Sequence, residues 1–218
     1  MTRPRSAFQA VALLAALLAP DRPLAAEARG MVVLQNDSVV DFGTAIIQVG
    51  FVAGERAAAW LTSSCAGNLV ALRVLWLSNP PNGGSTLGEY LRLSAAGTFP
   101  VPGAVLQELP GPVLTEGAFN EFTLAPPVPV LQGETVVVDF QFLSNPPLSG
   151  PSVVNDIDGC QAGRNGIYAT PPNAWFSACA LGVQGDFAIR AVVDCASSLV
   201  FDDGFESGDT SAWSAAVP

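Results

Sequence analysis

The densest group of side chains that could do chemistry lies in one short polar segment. Asn155, Asp156 and Asp158 place three oxygen-bearing side chains within four residues, and Cys160 follows two positions later. Calcium prefers six to eight oxygen ligands from carboxylates, amides and backbone carbonyls, so this segment is a candidate calcium site. The alternative is turn chemistry, in which Asn and Asp side chains accept hydrogen bonds from nearby backbone.

Three further side chains near that segment could contact a ligand. Arg164 is one of only nine cations. Its planar guanidinium suits either an ion pair with Asp156 or Asp158 or the carboxylate of a ligand. Tyr168 and Trp175 lie on either side of a Pro-Pro turn. Because sugar binding needs flat rings beside a few polar groups, we predict that Tyr168, Trp175 and Arg164 contact a ligand.

The composition excludes several kinds of chemistry. All nine cations are Arg, and the chain has neither Lys nor His, so it lacks imidazole relays, imidazole metal ligands and Schiff-base lysines. A glycosidase needs two facing carboxyl groups, but the candidate glutamates are isolated: Glu89, Glu108, Glu121 and Glu134. The net charge of −10 opposes binding to nucleic acid. We therefore predict a protein that is not an enzyme and has no nucleic-acid partner.

The beginning of the chain has the features of a secretory signal. Arg3 and Arg5 precede an apolar stretch over Ala7–Ala19, which is too short to span a bilayer as a helix. Small residues follow, and cleavage after Ala26 or Ala28 fits the A-x-A rule. We predict a cleaved signal peptide over residues 1–26, a mature chain with no transmembrane segment, and a secreted, periplasmic or cell-surface location.

The four cysteines agree with export. Their even number and the absence of a C-x-x-C pair favour two disulfides over a metal or redox motif. Four cysteines allow three pairings, and the sequence alone leaves them open. We favour Cys160–Cys179, which closes a short segment, and Cys65–Cys195, which ties an early strand to the last one.

The body of the chain alternates with the period of β-strands. Apolar side chains occupy every second position over Val70–Trp76, Thr135–Phe142 and Phe187–Asp194, and such strands pack one face on a core while the other face meets water. The residues predicted to face the core are Val70, Leu72, Val74, Trp76, Val136, Val138, Phe140, Phe142, Phe187, Ile189, Ala191 and Val193. Trp60 is also expected to be buried.

Turn signals separate many short strands, and the 39 Gly and Pro residues exclude long helices. This spacing predicts an all-β fold, an antiparallel β-sandwich with jelly-roll connectivity. We assign the sandwich to residues 27–196 as one domain. Residues 197–218 form a short acidic tail.

Two segments resemble uncharacterised exported bacterial β-sandwich domains. Such domains end in a G-D-[FW]-x-I-R strand after an N-D-x-D-G loop, and this chain carries NDIDG over 155–159 and GDFAIR over 185–190. Residues 201–214, FDDGFESGDTSAWS, resemble the terminal motif F-x-D-G-F-E-S-G-D-x-S-x-W-S of many exported bacterial proteins. The resemblance implies a sandwich fold and export from a Gram-negative cell, and it implies no defined activity.

Three functions are consistent with these features. The first is a non-catalytic secreted or cell-surface protein that binds polysaccharide or another extracellular partner, with calcium as the only candidate cofactor. The second is a structural or adhesion protein whose acidic tail directs export or surface retention. The third, and least favoured, is a polysaccharide-active enzyme.

Overall fold

The structure is a computed structural model that describes residues 30–79, 85–86, 90–142 and 150–195. Over these ranges the chain is built of β-strands, and the only helical segments are two 3₁₀ turns, Phe42–Thr44 and Cys179–Leu181. None of the described helices is long and apolar enough to cross a membrane. The predicted signal peptide and acidic tail lie outside the described residues.

Two six-stranded antiparallel sheets pack against each other. The first sheet contains β1 (Gly30–Leu34), β2 (Ala45–Gln48), β4 (Gly67–Asn79), β9 (Ala118–Val130), β11 (Gly150–Asp156) and β14 (Ile189–Cys195). The second contains β3 (Arg56–Thr62), β6 (Tyr90–Ala95), β7 (Val105–Leu109), β10 (Thr135–Gln141), β12 (Asn165–Ala169) and β13 (Ala174–Ser177). A small ribbon pairs β5 (Ser85–Thr86) with β8 (Leu114–Thr115).

Eight of these strands have jelly-roll connectivity. In the first sheet, β1, β14, β4 and β9 lie side by side in that order, and in the second sheet β3, β10, β6 and β7 do the same. Counted along the chain, this places the first, eighth, third and sixth strands in one sheet and the second, seventh, fourth and fifth in the other, which is a jelly roll. The predicted fold class is confirmed.

The remaining strands extend this framework. The segment between β10 and β14 contributes β11 to the first sheet, and β12 and β13 to the edge of the second. The hairpin of β12 and β13 pairs with β3, so it widens the second sheet to six strands. The jelly roll therefore carries an insertion between its last two strands.

The main core lies between the sheets and follows the predicted alternation closely. The inward residues of β10, and Phe187 with the inward residues of β14, are all buried in one cluster. Trp76 packs against Phe140 with ring centroids 5.9 Å apart, and Phe140 meets Phe142 at 5.1 Å. These contacts confirm the core assignment of Trp76.

One predicted core position is wrong. The pairing of β4 with β9 shifts register between Leu69 and Ala71, and Leu69 is fully buried in the core while Val70 is only half-buried. A bulge adds one residue to the strand and reverses which side chains face inward. The alternation deduced from Leu72 and Val74 therefore fails when it is extended back to Val70.

Both favoured disulfides are present. Cys65, between β3 and β4, is bonded to Cys195 at the end of β14, and Cys160 is bonded to Cys179. The chain has no free cysteine. Disulfides form and persist in oxidising compartments, so the structure fits a protein that folds in such a compartment.

Candidate functional site

Five side chains form a continuous line across the outer face of the second sheet. Tyr168 lies opposite Trp175 on one side and opposite Arg56 on the other. Arg56 lies opposite Gln141, which lies opposite Tyr90. We call these five residues the aromatic row. It crosses five neighbouring strands, and because paired strands are about 4.8 Å apart, it is about 19 Å long.

Charged side chains border the aromatic row. On the next cross-strand line, Asp139 lies opposite Arg92, and Arg92 lies opposite Glu108. The Nε of Arg92 donates a hydrogen bond to Glu108, and Arg56 Nη1 is 3.6 Å from Asp139 Oδ1. Asp139, Arg92 and Glu108 are called the charged row below.

The two arginines also contact the tyrosines of the aromatic row. The Arg56 guanidinium lies 5.6 Å from the centre of the Tyr168 ring, and that of Arg92 lies 5.7 Å from the Tyr90 ring. Both distances are within the range of cation–π attraction. Each arginine therefore links one ring of the aromatic row to one carboxylate of the charged row.

Trp175 is held in place by a small apolar cluster on the same outer face. Its ring meets that of Trp60 at 6.3 Å in a T-shaped arrangement, and the Phe99 ring meets Trp60 at 4.9 Å. Trp60 Nε1 donates a hydrogen bond to the carbonyl of Ala96 at 2.8 Å. Trp60 is 4% exposed, so its predicted burial is confirmed, although it lies outside the main core.

Gly166 explains how the hairpin approaches Trp60 so closely. A Cβ at Gly166 would lie 2.8 Å from Cζ3 of Trp60, closer than real Cβ contacts. Tyr168 follows two residues later on the same face, and its ring lies 5.5 Å from that of Trp175. Both rings are half-buried, so part of each remains accessible from the surface.

Asp139 has an unusual electrostatic environment. Its outward position on β10 predicts contact with water, but it is 1% exposed. Burial raises the pKa of Asp139 to about 6, against the attraction of Arg56 and Arg92, while the Glu108 charge adds to the rise. Burial also lowers the pKa of Arg56, which the charge of Asp139 partly offsets. The pair is therefore costly to keep ionised, as expected for buried ions.

This environment predicts a pH dependence of stability. The pKa of Asp139 rises from 3.8 to about 6 on folding, so between those pH values the native state holds a proton that the unfolded chain releases. The free energy of unfolding therefore falls as the pH rises through this window, by up to about 3 kcal/mol from this group. Asp139→Asn should remove this contribution, so its stability relative to wild type should increase between pH 4 and pH 7.

Urea unfolding from pH 4 to pH 7.5 measures both proteins. Asp194→Asn, at an exposed position of β14, is the matched control and should follow the wild-type curve. An Asp139→Asn curve parallel to wild type over the whole range would show that Asp139 has an ordinary pKa.

The Asp-rich segment, residues 155–158, lies at the end of β11 in the first sheet and not on the face that carries the aromatic row. Asp156 ends β11 in the first sheet, where Oδ2 accepts a hydrogen bond from the Ser38 amide and Oδ1 accepts one from the Asp186 amide, both at 2.8 Å. Burial raises the pKa of Asp156, and the nearby Asp158, itself exposed, adds to that rise. Asn155 donates to the Asp156 carbonyl at 3.1 Å. The carboxylate of Asp156 thus binds backbone amides of distant segments.

Asp186 is the second centre of this buried network. Its carboxylate accepts hydrogen bonds from the amide and the side chain of Gln161 and from the side chain of Asn165. Asn165 Oδ1 in turn accepts a hydrogen bond from the Phe187 amide at 3.1 Å. Burial raises the pKa of Asp186 despite these bonds. Among the described residues, no three His, Cys, Asp or Glu side chains are grouped to hold a metal ion.

Arg164 lies apart from both groups. Its Nη1 donates to Thr62 Oγ1 at 3.3 Å, and its carbonyl accepts a hydrogen bond from the Trp60 amide at 2.8 Å. Among the described residues, no ion pair joins it to Asp156 or Asp158. The structure therefore brings Tyr168 and Trp175 into contact, whereas the hydrogen bonds of Arg164 go to Thr62 and Trp60 and those of Asp156 to Ser38 and Asp186.

Most of the site does not follow from the sequence. Arg56, Tyr90 and Arg92 belong to no motif, and the alternation of β10 identifies Gln141 and Asp139 only as outward positions of a strand. The alternation within each strand shows which of its residues point away from the core, and so which face of the sheet they lie on. Which strands are neighbours, and in which register, decides what lines up across that face, and a single sequence does not specify this.

Comparison with known proteins adds no relative: no protein-family model matches this chain, and no curated protein matches its sequence. The function is therefore argued from the chemistry of the aromatic row and its neighbours.

Proposed function

We propose that this protein is a non-catalytic binding protein that holds an extracellular polysaccharide along the aromatic row. The observation that carries the proposal is the alignment of three rings with an arginine and a glutamine on five hydrogen-bonded strands. Rings offer flat apolar surfaces for the faces of sugars, and the polar side chains between them fix orientation. A sheet is a rigid support, so little ordering entropy is lost on binding.

The size of the row favours a chain over a single sugar. A line of about 19 Å is much longer than one pyranose ring, and its aromatic side chains lie at both ends, with Trp175 and Tyr168 at one and Tyr90 at the other. An extended oligosaccharide can contact both ends at once. A monosaccharide can contact only one, so affinity should rise with chain length.

The nearby carboxylates favour binding without hydrolysis. Glycosidases place two accessible carboxyl groups on either side of the scissile bond. Here Asp139 and Glu108 both belong to the charged row, on one side of the aromatic row, and Glu108 is paired with Arg92. The two carboxyl groups therefore do not face each other across a sugar lying on the aromatic row.

Two disulfides and the secretory features of the N-terminus support an extracellular setting. We place the mature protein in the periplasm, in the medium or on the cell surface, where polysaccharides are abundant.

Binding should depend on the two adjoining rings. For a polysaccharide that the full, disulfide-bonded chain binds, Trp175→Ala and Tyr168→Ala should each raise the Kd about 30-fold, corresponding to about 2 kcal/mol for an aromatic hot spot. Affinity electrophoresis through gels containing soluble polysaccharides, followed by calorimetric titration with oligosaccharides of increasing length, measures this effect.

Phe119→Ala is the matched aromatic control, since Phe119 is 37% exposed and lies on β9 in the opposite sheet. It should bind like wild type. Thermal unfolding of all three variants shows whether each remains folded at the assay temperature. The proposal fails if no polysaccharide is retained, or if folded Trp175→Ala and Tyr168→Ala both bind with wild-type affinity.

A further inference from the structure

Three buried polar atoms on the outer face of the second sheet lack hydrogen-bond partners in the described part of the structure. They are Arg56 Nε, Asp139 Oδ1 and Gln141 Oε1. A buried polar atom without a partner typically costs 1–3 kcal/mol, and native proteins contain few of them. Three such atoms on one face are therefore a feature that needs an explanation.

The three atoms belong to side chains that are close together. Arg56 and Gln141 are directly opposite each other on β3 and β10. Asp139 is two residues from Gln141 on the same face and opposite Ala58, whose methyl group offers it no hydrogen bond. The Arg56–Asp139 separation of 3.6 Å is too long for a hydrogen bond. The group thus offers one donor and two acceptors.

Sugar hydroxyl groups match this set. Each hydroxyl donates one hydrogen bond and accepts others, so neighbouring hydroxyls of one sugar can accept from Arg56 Nε and donate to Asp139 and Gln141. A carboxylate or sulfate ester can only accept, so an anionic group placed against Asp139 or Gln141 would leave that oxygen without a donor.

The charges around the group argue against an acidic ligand. Arg56 and Arg92 are balanced by Asp139 and Glu108 on the same face, and the whole chain carries a net charge of −10. These four charges therefore cancel, and the net negative charge of the molecule repels a polyanion.

We infer that the aromatic row selects an uncharged polysaccharide whose hydroxyl groups complete the hydrogen bonds of Arg56, Asp139 and Gln141. This inference rests on the proposed function and adds the chemical class of the ligand. The Arg56 side chain is 25% exposed, against 2% for that of Asp139. Because Asp139 Oδ1 and Gln141 Oε1 are buried, the inference includes a movement of the Arg56 side chain that exposes both acceptors to a hydroxyl.

The test compares neutral and acidic polysaccharides at pH 7.5. Soluble glucan, xylan and galactomannan are the neutral probes, and alginate and polygalacturonate are the acidic ones. At least one neutral polymer should bind, and both acidic polymers should bind at least about tenfold more weakly. Gln141→Ala should weaken binding of the neutral polymer about tenfold. Arg56→Lys, which keeps the charge and loses the Nε donor, should do the same.

Gln184→Ala, at an exposed position beyond this face, is the matched control and should bind like wild type. If Trp175→Ala weakens binding while Gln141→Ala and Arg56→Lys do not, the inference fails and the proposed function stands. A preference for alginate or polygalacturonate would likewise overturn the inference and leave the proposed function standing. If no polymer of either class binds, the inference and the proposed function both fail.

Discussion

Gly185→Ala is expected to be one of the most destabilising methyl additions at the described glycines. A Cβ at this position would overlap the carbonyl oxygen and the carboxylate of Asp156 and would lie 2.6 Å from the carbonyl carbon. The first of these neighbours is backbone, so rotation of a side chain cannot relieve the contact. The glycine allows the chain entering β14 to pass directly against the end of β11.

The loss of stability in Gly185→Ala is expected to come from two hydrogen bonds that the added methyl group would break. On either side of this approach, the Asp156 amide donates to the Asp186 carbonyl at 3.1 Å, and the Asp186 amide donates to Asp156 Oδ1 at 2.8 Å. Moving the two segments apart would lose both bonds and leave buried polar groups unpaired. We expect a loss of at least about 4 kcal/mol, which is at the extreme for point substitutions.

Urea denaturation of the purified variant measures this loss. Gly117→Ala is the matched control, because Gly117 has a positive φ of 73° and nothing within 4 Å of its Cβ position. In Gly117→Ala, the free energy of unfolding should fall only by the strain of that backbone conformation, about 1 kcal/mol. Equal losses in the two variants would show that the segments around Gly185 separate easily.

The second large effect is expected from the long-range disulfide. Cys65 and Cys195 are 130 residues apart in sequence, and Cys160 and Cys179 are 19 apart. By the chain-entropy estimate, the long loop contributes about 5 kcal/mol and the short one about 3 kcal/mol. Domains of this size typically have 5–15 kcal/mol in total. Replacing Cys65 and Cys195 by Ala should therefore remove a large share of the stability.

The two double-alanine variants should be compared under the same conditions. Both cysteines of the long-range pair are also buried, at 7% and 5% exposed, so their loss reduces core packing as well. The Cys160→Ala/Cys179→Ala variant should remain folded, and its free energy of unfolding should fall less than that of the Cys65→Ala/Cys195→Ala variant. The opposite ranking in urea midpoints would mean that loop length does not govern the stabilisation here.

The fold was largely predictable because its strands alternate so regularly. The inward positions of β10 and β14 follow from simple period-two spacing. The favoured cysteine pairs are correct, although the sequence alone leaves three pairings open. The prediction that Val70 faces the core is wrong for a local reason. A bulge shifts the alternation of β4 between Leu69 and Ala71, and the residue types do not mark its position. The alternation of β10 also predicts that its outward residues Val137 and Asp139 meet water, but both are buried. Phe99 and Trp175, from other parts of the chain, pack against the cluster that contains Val137, and a single strand does not reveal such a cover.

The site was only half predictable. Tyr168 and Trp175 come from one hairpin, so their adjacency follows from short-range spacing. Arg56, Gln141 and Tyr90 come from three other strands, and a shift of one residue in any pairing would turn their side chains to the opposite face. In the Asp-rich segment, the carboxylate of Asp156 joins the end of β11 to the amides of Ser38 and Asp186.

The insertion between β10 and β14 and the jelly-roll strands supply different parts of the aromatic row. Its disulfide closes a loop from Cys160 to Cys179 that encloses the whole hairpin of β12 and β13, and this loop supplies Trp175 and Tyr168. The other three members of the aromatic row come from jelly-roll strands outside that loop. One end of the aromatic row is therefore held by a short cross-link of its own, and the other end by the paired strands of the second sheet.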